Sequence, residues 1–283
     1  MGVVADDRAP VTPSFDGVEA SVFELYDELL VPLLFQPYAD DLTTHLRDLA
    51  DLDRAAVLEV AAGTGVATRA MADALAATVS ITATDLIPGM VERARSVGTS
   101  RAVTWDTADA GALPYDDESF DVVVCQFGAM FFPSKPAAFA EAARVLRPGG
   151  RLELAVWDRI EANEFADVVT STVIGLFPDD PPRFLEQVPH SYHDPDLVTT
   201  DLLDGGLTSP RVDLVEHRST AATAEIVARA YCEGTPLHDQ LQRGGSDRVA
   251  DALAASTKAL GERFGATDLD GRIAALVATA WKA

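Results

Sequence analysis

Residues 57–70 read VLEVAAGTGVATRA, and the fold is read outward from them. An apolar run carries one acid, Glu59. Small residues and two glycines, Gly63 and Gly65, come next, and then VATRAMADALAA (66–77) sets its apolar groups at helical spacing. Strand, glycine turn, helix is an arrangement that presents backbone amides to a nucleotide. A dinucleotide fingerprint would continue with a third glycine, where this chain has Thr68. A phosphate-binding P-loop would continue with Gly-Lys-Ser/Thr, which is absent.

Around that turn the chain alternates. AAVLEVA (55–61), SITATD (80–85), AVTWD (102–106), FDVVVCQF (120–127) and RLELAVW (151–157) read as strands. Residues 66–77, PGMVERARSV (88–97) and PAAFAEAARVL (136–146) read as helices; Pro88 suits a first turn and RPGG stops the last helix. Continuous apolar strands alternating with helices predict an α/β fold with a doubly wound, mostly parallel sheet. Ligands of such a sheet sit beyond the carboxyl ends of the strands. The expected organisation is a flexible tail over 1–14, amphipathic helices over 15–50 broken up by Pro32 and Pro37, and a core over 51–160. The remainder, 161–283, reads as a helix (161–177), a proline-rich loop (178–196), a strand RVDLVEHR (211–218), more helices and a closing strand IAALVATAW (273–281).

The 283 residues are 48% hydrophobic, enough for one large domain with an insertion. Lysine and arginine number 22 against 45 acids, a net charge of −23 that argues against nucleic acid and anionic membranes as partners. Neither a signal peptide nor a spanning run is visible, and Asp6 stands where a myristoylation motif needs Ser or Thr, so a cytoplasmic location is expected. Cys125 and Cys232 suggest neither a disulfide framework nor a zinc site.

The carboxylates decide among nucleotides. Glu59 near a strand end would repel a pyrophosphate and attract an ammonium group. Its alternative is capping a loop amide. Asp85 ends the second strand 20 residues after Gly65, where a carboxylate can accept both ribose hydroxyls. Asp109, beyond the third strand, can accept from an adenine amine, with the Ala110 backbone beside the ring. A ribose acceptor, an adenine acceptor and an ammonium acceptor without a phosphate cradle fit S-adenosylmethionine.

Residues 55–157 resemble a class I S-adenosylmethionine-dependent methyltransferase. The resemblance rests on VLEVAAGTG, ITATDLIPGMVERAR, DTADAGALPYDDESFDVVVCQFGAMFF and RVLRPGGRLELAVW, in order and at the usual intervals. The nearest group is that of ubiquinone/menaquinone-biosynthesis and small-molecule methyltransferases. Ala61 is a departure, since glycine is frequent there. The resemblance implies a seven-stranded Rossmann-like sheet in the order 3-2-1-4-5-7-6, strand 7 antiparallel, with RVDLVEHR as strand 6 and IAALVATAW as strand 7. It also implies roles. Glu59 would meet the methionine ammonium, and Ala61, Gly63, Thr64 and Gly65 would line methionine and ribose. Asp85 would hold the ribose, Leu86 and Met90 would lie against adenine, and Asp109 and Ala110 would bind its edge. Gln126 and Phe127 would face the reacting centre. S-adenosylhomocysteine would be the product.

The N-terminal helices, the QFGAMFFPS loop and the segment after Trp157 are expected to build an acceptor pocket. Tyr26, Phe35, Tyr38, Met130, Phe131, Phe132, Trp157 and Tyr192 make it apolar and aromatic, which suits a small, largely apolar acceptor. In PHSYHDPD, His190 and His193 are the candidate bases, needed only if the acceptor must lose a proton. Asp194 followed by Pro195 reads rather as a helix cap after a polar loop, and no further ligand set accompanies His190, His193 and Asp194, so no metal is expected. His45, His217 and His238 have no supporting context. Two alternatives stand beside a methyltransferase: an NAD(P)-dependent oxidoreductase, disfavoured by Thr68, and a non-catalytic nucleoside-binding protein. A monomer or a homodimer is expected.

Overall fold

In the computed structural model, residues 20–51, 54–245 and 247–283 are described. The expected tail over 1–14 lies outside them. Seven strands form one sheet in the order β3-β2-β1-β4-β5-β7-β6. They are β1 (Ala56–Glu59), β2 (Ser80–Asp85), β3 (Thr104–Thr107), β4 (Phe120–Gln126), β5 (Leu146–Trp157), β6 (Thr208–Thr223) and β7 (Thr267–Trp281). The first five pair in parallel, and β7 runs antiparallel to both β5 and β6. This is the strand order, with an antiparallel β7, that the resemblance implies.

Helices α3 (Val66–Ala74), α4 (Pro88–Val97) and α5 (Lys135–Val145) link the parallel strands. Alternate residues of β1 and β4 go to opposite faces: Val57, Val122 and Val124 join one core, Leu58, Val123 and Cys125 the other. Burial on both faces is why these strands read as unbroken apolar runs. After β5 come α6 (Glu164–Leu176), α7 (Phe184–Gln187) and α8 (Pro195–Asp204). Between β6 and β7 lie α9 (Ala224–Gly234), α10 (Leu237–Arg243) and α11 (Asp247–Phe264).

Three expectations need correction. Prolines 32 and 37 do not break the N-terminal helix, which runs as α1 (Ala20–Leu25), a π-helical stretch (Tyr26–Phe35) and α2 (Gln36–His45). Pro32 lies in the wider π turns, where the Gln36 amide reaches back to the Val31 carbonyl, and Pro37 falls in the first turn of α2. The wider turn relieves the clash that a proline makes with the carbonyl four residues back, and the Leu33 carbonyl, four residues before Pro37, takes the Ser219 hydroxyl instead (2.7 Å). Helix α3 stops at Ala74 rather than 77 because Leu75 turns extended. Strands β6 and β7 run to 16 and 15 residues, well past their apolar segments, since their polar ends pair with each other, Ser219 with Gly271 and Thr223 with Thr267.

Candidate functional site

A cavity of about 880 Å³ opens over the carboxyl ends of the parallel strands. Its floor is the β1–α3 turn. Ala62 N–H donates to the Thr84 carbonyl (2.9 Å) and Gly65 N–H to the Ala62 carbonyl (2.9 Å). Ala61, Gly63 and Gly65 all take positive φ, of 53°, 57° and 86°. Glycine is required at 65, where a Cβ would lie 2.7 Å from the Trp105 ring. Gly65 therefore shapes the turn from behind, while Ala61, Gly63 and Thr64 line the cavity.

Asp85 joins this turn to the next. Its Oδ2 accepts from Gly63 N–H (2.7 Å) and its Oδ1 from Ile87 N–H (2.9 Å). Burial raises its pKa, and those amides oppose the rise. Glu59 is 2% exposed and accepts from the Thr68 hydroxyl. Burial pushes the Glu59 carboxyl up to about 8; the Thr68 bond opposes this and the charge on Asp85 adds to it. Thr68, first notable as a missing glycine, is the partner of Glu59, so Glu59 caps no loop amide.

Glu59, Asp85 and Asp109 all line the cavity. Asp109 is exposed and closes its own loop on Gly111 N–H (2.8 Å). Ala110, Met90 and Leu86 lie on the same rim, Leu86 being 60% exposed. Two buried polar atoms of the lining have no partner, Thr64 Oγ1 and Gln126 Oε1. Gln126 spends its amide on the Phe35 carbonyl (3.2 Å), which leaves the oxygen for a ligand. Phe127 takes φ 58° and stacks on Trp157 at 3.8 Å. Three carboxylates and two orphaned polar atoms in one hollow can take hydrogen bonds from a polar ligand.

The aromatic half of the site assembles in part as expected. Tyr26, Phe35, Met130 and Phe131 line the cavity with Trp157, and Tyr26 stacks on Phe35 at 5.4 Å. Burial, with Asp85 and Asp27 nearby, raises the Tyr26 phenol well above its usual range. Asp27 pairs with Arg69 (3.0 Å) and Arg93 (3.3 Å), tying the N-terminal helix to α3 and α4. Tyr38 is core, its hydroxyl donating to the Val215 carbonyl.

His190 is buried in the lining and its Nδ1 lies 2.8 Å from the Asp158 carbonyl. A carbonyl only accepts, so Nδ1 carries the proton and Nε2 is a bare acceptor. Burial pulls the His190 pKa down to about 4, so the ring is neutral. His193 and Tyr192 do not reach the cavity, contrary to expectation. His193 is exposed. The Tyr192 hydroxyl bonds Asp201 (2.8 Å) beneath Lys135. The cause is local: Asp194 caps α8 through Asp196 N–H (2.9 Å), so the chain turns into a helix directly after His190–His193.

Residues 58–154 match a family described as a methyltransferase domain. A ubiquinone/menaquinone biosynthesis C-methyltransferase of Dinoroseobacter shibae is 35% identical over 151 residues, 52% of this chain and 59% of the relative. Alignments to the first curated relatives span 36% to 59% of their own lengths. Among solved structures, the YcgJ protein of Bacillus subtilis superposes with a TM-score of 0.57 at 20% identity, covering 87% of this chain and 98% of that one. A phosphoethanolamine N-methyltransferase 2 of Haemonchus contortus, solved with S-adenosyl-L-methionine, gives 0.57 at 15% identity, over 93% and 57%. The family match thus takes in β1 to most of β5 and leaves β6, β7 and the helices between them outside it.

The matched stretch holds the three carboxylates and the Gln126–Phe127 pair. Much of the remaining wall lies outside it. Phe184, Leu185 and Pro189 come from the proline-rich segment expected as plain loop. Tyr231, Thr235, His238, Asp239 and Gln242 come from α9, α10 and their junction. The sequence signal for the second group was the Gly-Thr-Pro break in YCEGTPLHD (231–239) between two helices. His238, without context in the sequence, stands in the wall; His45 and His217 instead meet Glu153 (3.6 Å) and Asp41 (2.6 Å).

Proposed function

We propose that the chain is an S-adenosylmethionine-dependent methyltransferase acting on a small, largely apolar acceptor. The observation that carries this is the placing of Glu59, Asp85 and Asp109 at the ends of three adjacent parallel strands around one cavity whose described lining has no lysine or arginine. Such a lining suits an ammonium, a ribose and an adenine edge, and it opposes a pyrophosphate. The methyltransferase-domain match over 58–154 supports the same reading.

When bound, the cofactor supplies a methyl group on a sulfonium, whose departure leaves a neutral thioether. The protein's work is then alignment and exclusion of water. Glu59 holds the amino acid end and Asp85 the ribose. Asp109 and the Ala110 backbone hold the adenine edge, between Leu86 and Met90. Gln126 Oε1 and Thr64 Oγ1 gain partners on binding. The stacked Phe127 and Trp157 rings form an apolar wall, and the N-terminal helix, tethered through Asp27, covers the site. For a hydroxyl acceptor, His190 Nε2 is the group able to take a hydrogen bond and then the proton.

No helix among the described residues is long and apolar enough to cross a membrane. The two buried thiols, Cys125 and Cys232, fit a reducing compartment such as the cytoplasm. The experiment is methyl transfer from labelled S-adenosylmethionine to a panel of small apolar alcohols, phenols and amines, followed by mass. Transfer that is lost in Asp85→Asn supports the proposal. Tight cofactor binding with no transfer to any member would favour a binding protein.

A further inference from the structure

The cavity has more carboxylates than the nucleoside engages. Glu59, Asp85 and Asp109 stand at the strand ends. A fourth, Asp239, enters the lining from the first turn of α10. No bond or ion pair within the described structure engages it. Its neighbours in the chain are already matched. His238 Nδ1 lies 3.3 Å from the Cys232 carbonyl, so that nitrogen carries the proton, and His238 Nε2 accepts from the Gln242 amide at 2.8 Å. His238 and Gln242 are thus bonded to each other, and Asp239 supplies a carboxylate on that wall. Lysine and arginine are absent from the described lining, so a carboxylate or phosphate on an acceptor would find no counter-charge. A cation would meet a carboxylate and a lining that includes the aromatic residues Tyr231 and Trp157.

We propose that the methyl acceptor is an apolar amine, cationic at neutral pH, whose ammonium is drawn to Asp239 while its apolar body lies against Phe184, Leu185 and Pro189. A nitrogen that is itself methylated first gives up its proton to Asp239 or to water, since only the neutral amine has the lone pair that displaces the thioether. This rests on the methyltransferase reading of the cavity and adds the acceptor's charge to it. The negative lining, on a chain of net charge −23, concentrates cations in the cavity and repels anions. Asp239 is exposed, so its direct contribution is modest and screened by salt.

The test uses the full chain saturated with S-adenosylhomocysteine and three matched probes: naphthylmethylamine, naphthylmethanol and naphthoate. Calorimetry is run at low and at physiological salt. The amine is expected to bind about fivefold tighter than the alcohol at low salt, and the carboxylate more weakly than either. The gap between amine and alcohol narrows as salt is added. Asp239→Asn lowers amine affinity about threefold and leaves alcohol affinity unchanged. Equal affinities, or a preference for the carboxylate, overturn the proposal. So does an amine preference that survives Asp239→Asn intact, or a variant that weakens amine and alcohol alike. The prior saturation step reads the methyltransferase proposal separately. If S-adenosylhomocysteine fails to bind, that reading fails, and the probe series on the free chain still measures the cavity's choice of charge.

Discussion

Binding of S-adenosylhomocysteine is expected to expel a proton, and the source is Glu59. Burial pushes this carboxyl up to about 8 in the ligand-free protein. Near pH 6.5 it is therefore almost wholly protonated, by roughly thirty to one. An ammonium placed against it favours the ionised form, so its pKa falls on binding. Close to one proton should leave per ligand bound. The same linkage makes affinity rise with pH, by roughly ninefold from about pH 6 to about pH 7, flattening as pH passes the free-protein value. The assay is calorimetry near pH 6.5 in two buffers of very different ionisation enthalpy. Proton release appears as an enthalpy that differs between buffers in proportion. Glu59→Gln should bind more weakly than the native chain at the higher pH, and its own binding should show neither the buffer dependence nor the Glu59-linked rise with pH. A wild-type enthalpy identical in both buffers, or a proton taken up rather than released, would refute the pairing of Glu59 with the ammonium.

Three further outcomes are expected. Asp85→Asn loses one charge-assisted acceptor for backbone amides and weakens the ribose site, which should lower S-adenosylhomocysteine affinity roughly tenfold to a hundredfold; unchanged affinity in a titration would remove Asp85 from the ribose. Ala61→Gly relieves a positive φ of 53° and should stabilise the chain by about 0.5–1 kcal/mol, read as a rise of about 2 °C in melting temperature; a fall would mean that the alanine is not strained. His190 is a base whose folded pKa, about 4, lies below its ordinary value of 6.5. Its stabilisation is present above 6.5 and is lost as pH falls through about 4, a change of about 3 kcal/mol. Urea unfolding at a series of pH values should therefore show a shallower acid limb in His190→Gln, and superimposable limbs would argue against a buried neutral ring.

The parts of the fold legible in the sequence were those governed by burial. β2 and α4 were bounded correctly because apolar periodicity and Pro88 mark both. β6 and β7 were read at about half their length, since their outer pairs join polar residues across a ladder that leaves no apolar trace. The helix through Pro32 was misread because a single residue type cannot announce a π turn. In the candidate site, residues next to strand ends were found, as their position follows from the sheet. Tyr192 and His193 were expected in the cavity on proximity to His190, but the Asp194 cap directs the chain away from it. His238 and Asp239 were missed because long-range packing of the β6–β7 insertion puts them there, and no local pattern encodes that packing.

The central claim is that this cavity holds an adenosyl amino acid and not a dinucleotide. Isothermal titration of the full chain with S-adenosylhomocysteine and, separately, with NAD tests it most directly. The account predicts saturable one-to-one binding of S-adenosylhomocysteine and no measurable heat from NAD. Binding of NAD without binding of S-adenosylhomocysteine would contradict it.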